Sequence, residues 1–210
     1  EVNSLGIPAL TDLLLETVRS LCSGEILETR ERWKIDWSED TYFEIVRLKT
    51  ASLFEYSCRS PAILSGLSAE RIDLLSDFGL NLGISYQIAD DCLDFIISED
   101  RTGKDPLADL RNGVPNLPLL LAAGRSEFNP LFEEVIDNPE DRVKLEEIGG
   151  LIRETGLVSE ALDFSRRYLE RCRRLVERIS AWEDIGPPEF LREYIVEQTE
   201  MIDSLVEALK

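Results

Sequence analysis

A helical repeat of apolar residues runs along most of the chain and restricts its fold more than any other sequence feature. Between residues 157 and 180, apolar or small residues recur every three or four positions, at Val158, Leu162, Ser165, Leu169, Cys172, Val176 and Ile179. This spacing places them on one face of an α-helix. No segment of the sequence shows the alternation that is typical of a β-strand. The sequence therefore predicts an all-α protein, built as an antiparallel helical bundle that forms a single domain over residues 1–210.

Capping and turn residues predict where the helices begin and end. Ser38 and Ser68 are good N-cap residues, so we expect a helix to begin after each of them. In the helix that precedes them, the predicted inner face consists of Leu10, Leu14, Val18 and Leu21. Further helices are expected at 117–123, 140–153 and 157–180, with a break at Gly186-Pro187-Pro188. Residues 124–139 are expected to form a loop that contains at most a short helical turn.

The segment after Ser68 is unusually apolar, so we expect its helix to lie at the centre of the fold. It contains two glycines, Gly79 and Gly83, one helical turn apart. Glycine inside a helix costs up to about 1 kcal/mol relative to alanine. We therefore expect another helix or a ligand to approach this one closely.

Composition excludes several classes of function. Acidic residues number 42 and basic residues 23, which gives a net charge of −19. A surface this negative repels nucleic acids and anionic lipids, so neither is an expected partner. The chain has no histidine, which excludes Ser-His-Asp and Cys-His catalysis and any zinc site with histidine ligands.

The four cysteines are widely spaced and form no Cys-x-x-Cys pair. We therefore expect free thiols in a reducing compartment, which favours a cytoplasmic location. No apolar run approaches the roughly 20 residues that a membrane-spanning helix needs, so no integral membrane segment is expected.

The candidate chemistry centres on Asp90-Asp91-Cys92-Leu93-Asp94. On a helix, Asp90 and Asp94 share a face and Asp91 lies about 100° around the axis. Crowded carboxylates repel one another, and a divalent cation relieves that repulsion. Oxygen ligands suit Mg²⁺, which takes substrate phosphates as further ligands. The alternative is an acidic face in solvent, but the flanking residues are mostly apolar, and carboxylates on a buried helix need partners.

Two lysines could receive an anion near these carboxylates. Lys104 follows Asp94 through a loop that contains Gly103, so it can fold back toward the carboxylates. Lys49 precedes Thr50 within an apolar helix. A lone lysine there is more often a surface residue whose stem covers apolar side chains. A metal–carboxylate site nearby favours a diphosphate ligand instead.

An ordered set of motifs resembles one enzyme family. Residues 79–95, GLNLGISYQIADDCLDF, resemble the second aspartate-rich motif of the trans-isoprenyl diphosphate synthases, or polyprenyl synthetases. Other segments that follow the family's order are Gly24-Glu25, Lys49-Thr50-Ala51, Gly103-Lys104, Asp109-Leu110, Gly113 and Leu117-Pro118. The resemblance covers most of the chain, and the ordered set is far more specific than any one motif.

The resemblance implies an isoprenoid synthase fold and a prenyltransferase, active as a homodimer. The implied reaction condenses isopentenyl diphosphate with an allylic diphosphate, by Mg²⁺-assisted ionisation, into a longer all-trans polyprenyl diphosphate. The implied site residues are Asp90, Asp91 and Asp94 for the metal, Lys49 and Lys104 for the allylic diphosphate, and Thr50 and Gln87 for oxygen dipoles near the allylic cation.

The chain also departs from the family's pattern. The first aspartate-rich motif and the basic residues that hold isopentenyl diphosphate, both upstream of Gly24-Glu25 in the family, have no counterpart here. Asn116 stands where threonine is usual, Glu28 where glutamine is common, and Leu107-Ala108 replaces a pair that contains glycine. The sequence opens without methionine, so we expect that N-terminal helices are missing and that the 210 residues alone are inactive.

Alternative functions stay open at this point. One is a non-catalytic regulatory subunit of a heteromeric prenyl diphosphate synthase, which would keep the fold but lose half of the site. A terpene cyclase would share the fold and the metal–diphosphate chemistry. That class also expects an Asn/Asp-x-x-Ser/Thr-x-x-x-Glu motif late in the chain, and none lies on a suitable helix.

Overall fold

The computed structural model describes residues 6–34, 36, 38–96, 107–182 and 189–209. Within these residues every regular element is helical, which confirms the predicted all-α fold. The α-helices are α1 (Pro8–Glu31), α2 (Glu39–Val46), α3 (Ser52–Leu64), α4 (Ala69–Ile96), α5 (Ala108–Arg111), α6 (Leu117–Ala123), α7 (Asn129–Asp137), α8 (Arg142–Glu154), α9 (Leu157–Ser180) and α10 (Glu189–Glu207). A π-helical turn, Arg47–Ala51, joins α2 to α3, and a 3₁₀ turn, Ser126–Phe128, precedes α7.

Helix α4 packs most extensively against α9 and α3, as expected for a central helix. Its two glycines allow the close approach that the sequence predicts. A Cβ atom on Gly83 would lie 2.6 Å from the Cα atom of Ala51, and one on Gly79 would lie 2.5 Å from the carbonyl oxygen of Phe54. Because no side chain fits at these distances, the glycines hold α4 directly against the π-helical turn and α3.

Most predicted helix boundaries are confirmed. Helix α2 begins after Ser38, whose hydroxyl accepts a hydrogen bond from the Thr41 amide at 3.1 Å. Helix α4 begins directly after Ser68, and α9 spans the predicted residues. The loop predicted at 124–139 is wrong, because α7 occupies much of it. Pro130 lies in the first turn of α7, where a proline costs no hydrogen bond, and Phe132 is buried.

The buried face of α1 is only partly the predicted one, because Leu10 is buried as predicted but the face continues through other residues. Val18 is 47% exposed, whereas Leu13 and Thr17 are buried together with Gly24 and Glu28. The inner face of α1 thus changes along its length from apolar to small and polar residues. This change brings polar side chains of α1 toward the π-helical turn, and it leaves an apolar stripe exposed on the opposite side. In the described residues, no helix is long and apolar enough to cross a membrane.

Candidate functional site

A cleft of about 380 Å³ opens between α1, the π-helical turn, α4 and the segment that contains α5. Its charged and polar lining residues are Glu28, Arg32, Tyr42, Lys49, Thr50, Gln87, Asp90, Asp91 and Asp109. The structure therefore brings together five residues that the sequence analysis selected, from two separate segments of the chain.

Asp90 presents its carboxylate to this cleft from the exposed side of α4. In the part of the chain that the structure describes, no hydrogen bond or ion pair engages that carboxylate. Asp90 is therefore the carboxylate of α4 that is best placed to bind a ligand from the cleft.

Asp91 is buried and accepts hydrogen bonds at both carboxylate oxygens. The Tyr42 hydroxyl donates to Oδ2 at 2.7 Å, and the Gln87 amide donates to Oδ1 at 2.8 Å. The Leu117 backbone amide reaches Oδ2 at 3.4 Å. Burial raises the pKa of Asp91 to about 8 and holds the pKa of Tyr42 well above its usual value. Asp91 thus joins α2, α4 and α6 at the floor of the cleft.

Thr50 and Gln87 extend this hydrogen-bonded chain. The Thr50 hydroxyl donates to the Gln87 side-chain oxygen at 2.6 Å, and Gln87 in turn donates to Asp91. Thr50 lies in the π-helical turn. Such turns are rare and recur at functional sites. Lys49 and Thr50 both lie in this wider turn and line the cleft. One local feature therefore positions both predicted residues.

Asp94 connects α4 to α5 instead of facing the cleft. Its two oxygens accept hydrogen bonds from the backbone amides of Ala108 and Asp109, each at 3.1 Å. Burial raises the pKa of Asp94 to about 6. By fixing the first turn of α5, Asp94 positions Asp109, which lines the cleft and accepts a hydrogen bond from Asn116 at 3.1 Å.

Lys49 lies between two carboxylates of α1. Its Nζ atom is 2.7 and 2.8 Å from the two oxygens of Glu28, and 3.1 Å from Oε2 of Glu25. Burial lowers the pKa of Lys49, but the hydrogen bonds to Glu28 and Glu25 outweigh burial and leave it raised. The close packing depends on Gly24, because a Cβ atom there would lie 2.6 Å from the Lys49 backbone nitrogen.

The other predicted lysine, Lys104, lies outside the described residues together with Gly103. Four charged or polar cleft residues escaped the sequence analysis as site residues: Glu28, Arg32, Tyr42 and Asp109. Tyr42 lies among the apolar residues of α2, and nothing in its local pattern separates it from a core residue. Glu28 carries a weak signal, since it is a carboxylate on the inward-facing side of α1, and Asp109 belongs to the segment Asp109-Leu110 that resembles the family.

Only part of the predicted carboxylate set is free to bind a divalent cation with oxygen ligands. In the described residues, no group of three or more acidic, histidine or cysteine side chains is arranged to hold a metal ion. Asp91 and Asp94 have both oxygens occupied by protein donors. Asp90 remains, and Mg²⁺ is commonly held by only one or two carboxylates, with waters and substrate phosphates as its other ligands.

Known proteins share both the sequence and the fold. The family model described as "Polyprenyl synthetase" matches residues 1–151. The chain belongs to the polyprenyl synthetase family. This assignment confirms the resemblance to the trans-isoprenyl diphosphate synthases that the sequence motifs indicate.

Individual polyprenyl synthetases agree with this assignment. The heptaprenyl diphosphate synthase component 2 of Geobacillus stearothermophilus is 31% identical over 174 residues, which are 82% of this chain and 54% of that protein. The decaprenyl-diphosphate synthase of Dictyostelium discoideum is 33% identical over 175 residues, 82% of this chain and 36% of that protein. The chain therefore spans between about a third and about half of these two relatives.

A solved polyprenyl synthase from Caulobacter crescentus superimposes with a TM-score of 0.82 at 27% identity, covering 94% of this chain and 59% of that one. That protein is complexed with calcium and isoprenyl diphosphate.

Proposed function

We propose that the protein is a prenyltransferase that condenses isopentenyl diphosphate with an allylic diphosphate into a longer all-trans polyprenyl diphosphate. The observation that carries this proposal is the cleft in which Lys49, Thr50, Gln87 and Asp90 converge from separate segments of a polyprenyl synthetase fold. In the reaction, the carbon–oxygen bond of the allylic diphosphate breaks and the diphosphate leaves with the electron pair. The double bond of isopentenyl diphosphate then forms the new carbon–carbon bond, and a proton is lost.

In this proposal, the cleft residues stabilise the charges that develop when the allylic diphosphate ionises. A divalent cation, which we propose to be Mg²⁺, would neutralise negative charge on the departing diphosphate when Asp90 holds it. Lys49 binds a diphosphate oxygen, with Lys104 as a second lysine for the same group. The Thr50 and Gln87 oxygens face the positive charge on carbon. Asp91 and Asp94, predicted as further metal ligands, support the site through the hydrogen bonds that hold α2, α5 and α6.

Diphosphate should stabilise the protein only in the presence of the metal, because the cleft is lined by more carboxylates than cations. Diphosphate with Mg²⁺ at a hundred times its Kd should add about 2.7 kcal/mol to the free energy of unfolding. For a chain of this length that is a rise in melting temperature of about 5–10 °C. Differential scanning fluorimetry, with and without Mg²⁺, measures it.

The matched control compares two lysines. Lys49→Ala should remove most of the diphosphate-dependent shift. Lys144→Ala should leave it unchanged, because Lys144 pairs with Glu134 and Glu147 away from the cleft. Stabilisation by diphosphate that does not need the metal, or that survives Lys49→Ala, contradicts the proposed site.

The predicted homodimer is also part of this proposal, and one face of α1 supports it. The exposed residues Leu15, Val18, Cys22 and Ile26 form a stripe within an arc of about 80°, at 100° per residue. A continuous exposed apolar stripe marks an interaction surface. We propose that a second copy of the chain covers it.

Charge placement favours an antiparallel arrangement of the two copies. Asp12 and Arg30 are exposed near opposite ends of α1 and lie along the same edge of the stripe. With a two-fold axis near residue 21, Asp12 of each copy faces Arg30 of the other. The two helix dipoles are then also antiparallel, which favours the pairing.

Cys22 lies close to that axis, so mild oxidation should produce covalent dimers. With helix axes about 8–10 Å apart, the two Cys22 Cα atoms would be about 5–6 Å apart. This separation lies within the range for disulfides, about 4.4–6.8 Å. Non-reducing gels should show the dimer for the wild type and for Cys58→Ser, but not for Cys22→Ser. Monomers alone, both in those gels and by light scattering, contradict the antiparallel dimer.

A second candidate function follows from the likeness to the Geobacillus protein, whose name describes it as component 2. A non-catalytic subunit of a heteromeric synthase would use the same α1 stripe for a different protein. It would also lack the rise in melting temperature that diphosphate causes in the presence of the metal.

A cytoplasmic location is also part of the proposal. It agrees with the four cysteines, all of which are free thiols.

A further inference from the structure

The ion pair between Lys49 and α1 uses up the hydrogen-bonding capacity of the lysine. A lysine ammonium group has three N–H donors. Three carboxylate oxygens, two from Glu28 and one from Glu25, lie within 3.1 Å of Lys49 Nζ. A phosphate oxygen can therefore reach this ammonium group only by displacing a carboxylate.

The two carboxylates differ in how easily they can be displaced. The Glu25 side chain is 55% exposed, so water can replace the lysine at little cost. The Glu28 side chain is 9% exposed, and its other cationic neighbour, Arg32, is 3.8 Å away. A buried carboxylate that loses its partner pays a large desolvation penalty. Glu28 is therefore the stronger competitor for Lys49.

We infer that Glu28 limits the affinity of the cleft for diphosphate by competing for the ammonium group of Lys49. This inference rests on the proposed function, because it assigns a regulatory contact to the same site. Glu28 also adds negative charge to a cleft that already contains Asp90, Asp91 and Asp109. An anion thus meets both a blocked lysine and an additional like charge.

The opposite role for Glu28 would be to orient Lys49 toward the ligand. Glu28→Gln separates the two roles, because it keeps the size of the side chain and one acceptor oxygen while removing the charge. Competition predicts tighter diphosphate binding in this variant, whereas orientation predicts weaker binding.

Isothermal titration of the 210-residue chain with inorganic diphosphate at fixed Mg²⁺ measures the difference. We expect the Kd of Glu28→Gln to be about threefold to tenfold lower than that of the wild type, as for removing one nearby like charge. Glu31→Gln is the matched control, since Glu31 is equally buried on the same helix but pairs with Lys34 outside the cleft. Its Kd should equal that of the wild type.

A double-mutant cycle tests whether the effect passes through Lys49. In a Lys49→Ala background, Glu28→Gln should change the Kd by less than about twofold, because the competition no longer exists. An equal gain in diphosphate affinity with and without Lys49 would overturn the inference. It would show that Glu28 acts only by repelling the anion. Circular dichroism checks the fold, and Glu28→Asp, which retracts the carboxylate by one methylene, should also tighten binding.

The remaining outcomes separate this inference from the proposed function. If the wild type binds diphosphate and Glu28→Gln leaves the affinity unchanged or lowers it, the inference is wrong. The proposed function then still stands. If no variant binds diphosphate with Mg²⁺, the proposed diphosphate site fails, and the inference fails with it.

Discussion

Replacing Asp90 with alanine should lower the turnover of the native protein by about 10²–10³-fold, the usual loss when one group that stabilises developing charge is removed. Asp90 is the predicted metal ligand whose carboxylate no other described residue engages. Without it, the cation that offsets charge on the departing diphosphate loses its anchor in α4. Steady-state kinetics with an allylic diphosphate and isopentenyl diphosphate measure this loss in kcat.

The fold should survive this substitution, because Asp90 is exposed and its removal relieves repulsion among the cleft carboxylates. The free energy of unfolding should therefore stay the same or rise slightly. Asp77→Ala is the matched control, since Asp77 is exposed on the same helix but does not line the cleft. Wild-type turnover in Asp90→Ala would show that the metal is held elsewhere.

The fold could be predicted from the sequence because helical periodicity is a local signal. The repeat at residues 157–180 predicts α9 to the residue, and Ser38 marks the start of α2. The exception is α7, where Pro130 and nearby Asn and Gly residues resemble a loop. Proline is compatible with a first helical turn, and the burial of Phe132 then stabilises a helix that local pattern does not predict.

Burial on α1 shows a different limit. Periodicity detects apolar stripes, and α1 has two candidate stripes on opposite sides. The structure buries the one that continues through Gly24 and Glu28, because only glycine allows contact with the Lys49 backbone. The apolar residues of the other stripe, such as Val18, stay exposed. Hydrophobicity alone cannot identify which face a helix buries when close packing requires small residues.

The candidate site was predictable as a set of residues but not as a set of contacts. Lys49, Thr50, Gln87 and Asp90 share the cleft, as their types and the family resemblance indicate. The partner of Asp91 is Tyr42, 49 positions away, and the partner of Lys49 is Glu28, 21 positions away. Such pairs depend on how helices pack, and no local spacing encodes them.

Asp91 should make the stability of the folded protein depend on pH in the absence of metal. Its carboxyl group has a pKa of about 8 in the folded state, because it is buried, against an ordinary value of 3.8. Between these two values the folded state binds a proton that the unfolded state does not. Stability must therefore fall as pH rises through this range. Each pH unit costs about 1.4 kcal/mol, so the loss is at most about 6 kcal/mol by pH 8.

Asp91→Asn should abolish this part of the pH dependence. The amide group is neutral at every pH, so the variant pays no cost for burying a charge. Its oxygen can accept the hydrogen bond from Tyr42, and its NH2 group can donate to Gln87 once the Gln87 amide reverses its orientation. The difference between its free energy of unfolding and that of the wild type should therefore grow in favour of the variant by about 4 kcal/mol between pH 5 and pH 9. Urea unfolding at pH 5, 7 and 9, with a chelator present, gives both curves.

Comparison within α4 isolates the buried group. Asp94, with a pKa of about 6, contributes in the same direction to both proteins and cancels from their difference. Asp77→Asn makes the same chemical change at an exposed position of α4, so its curve should parallel that of the wild type. A constant difference between Asp91→Asn and the wild type from pH 5 to 9 would mean that Asp91 is already ionised in the fold. In that case its hydrogen bonds from Tyr42 and Gln87 would stabilise the charge more than burial opposes it.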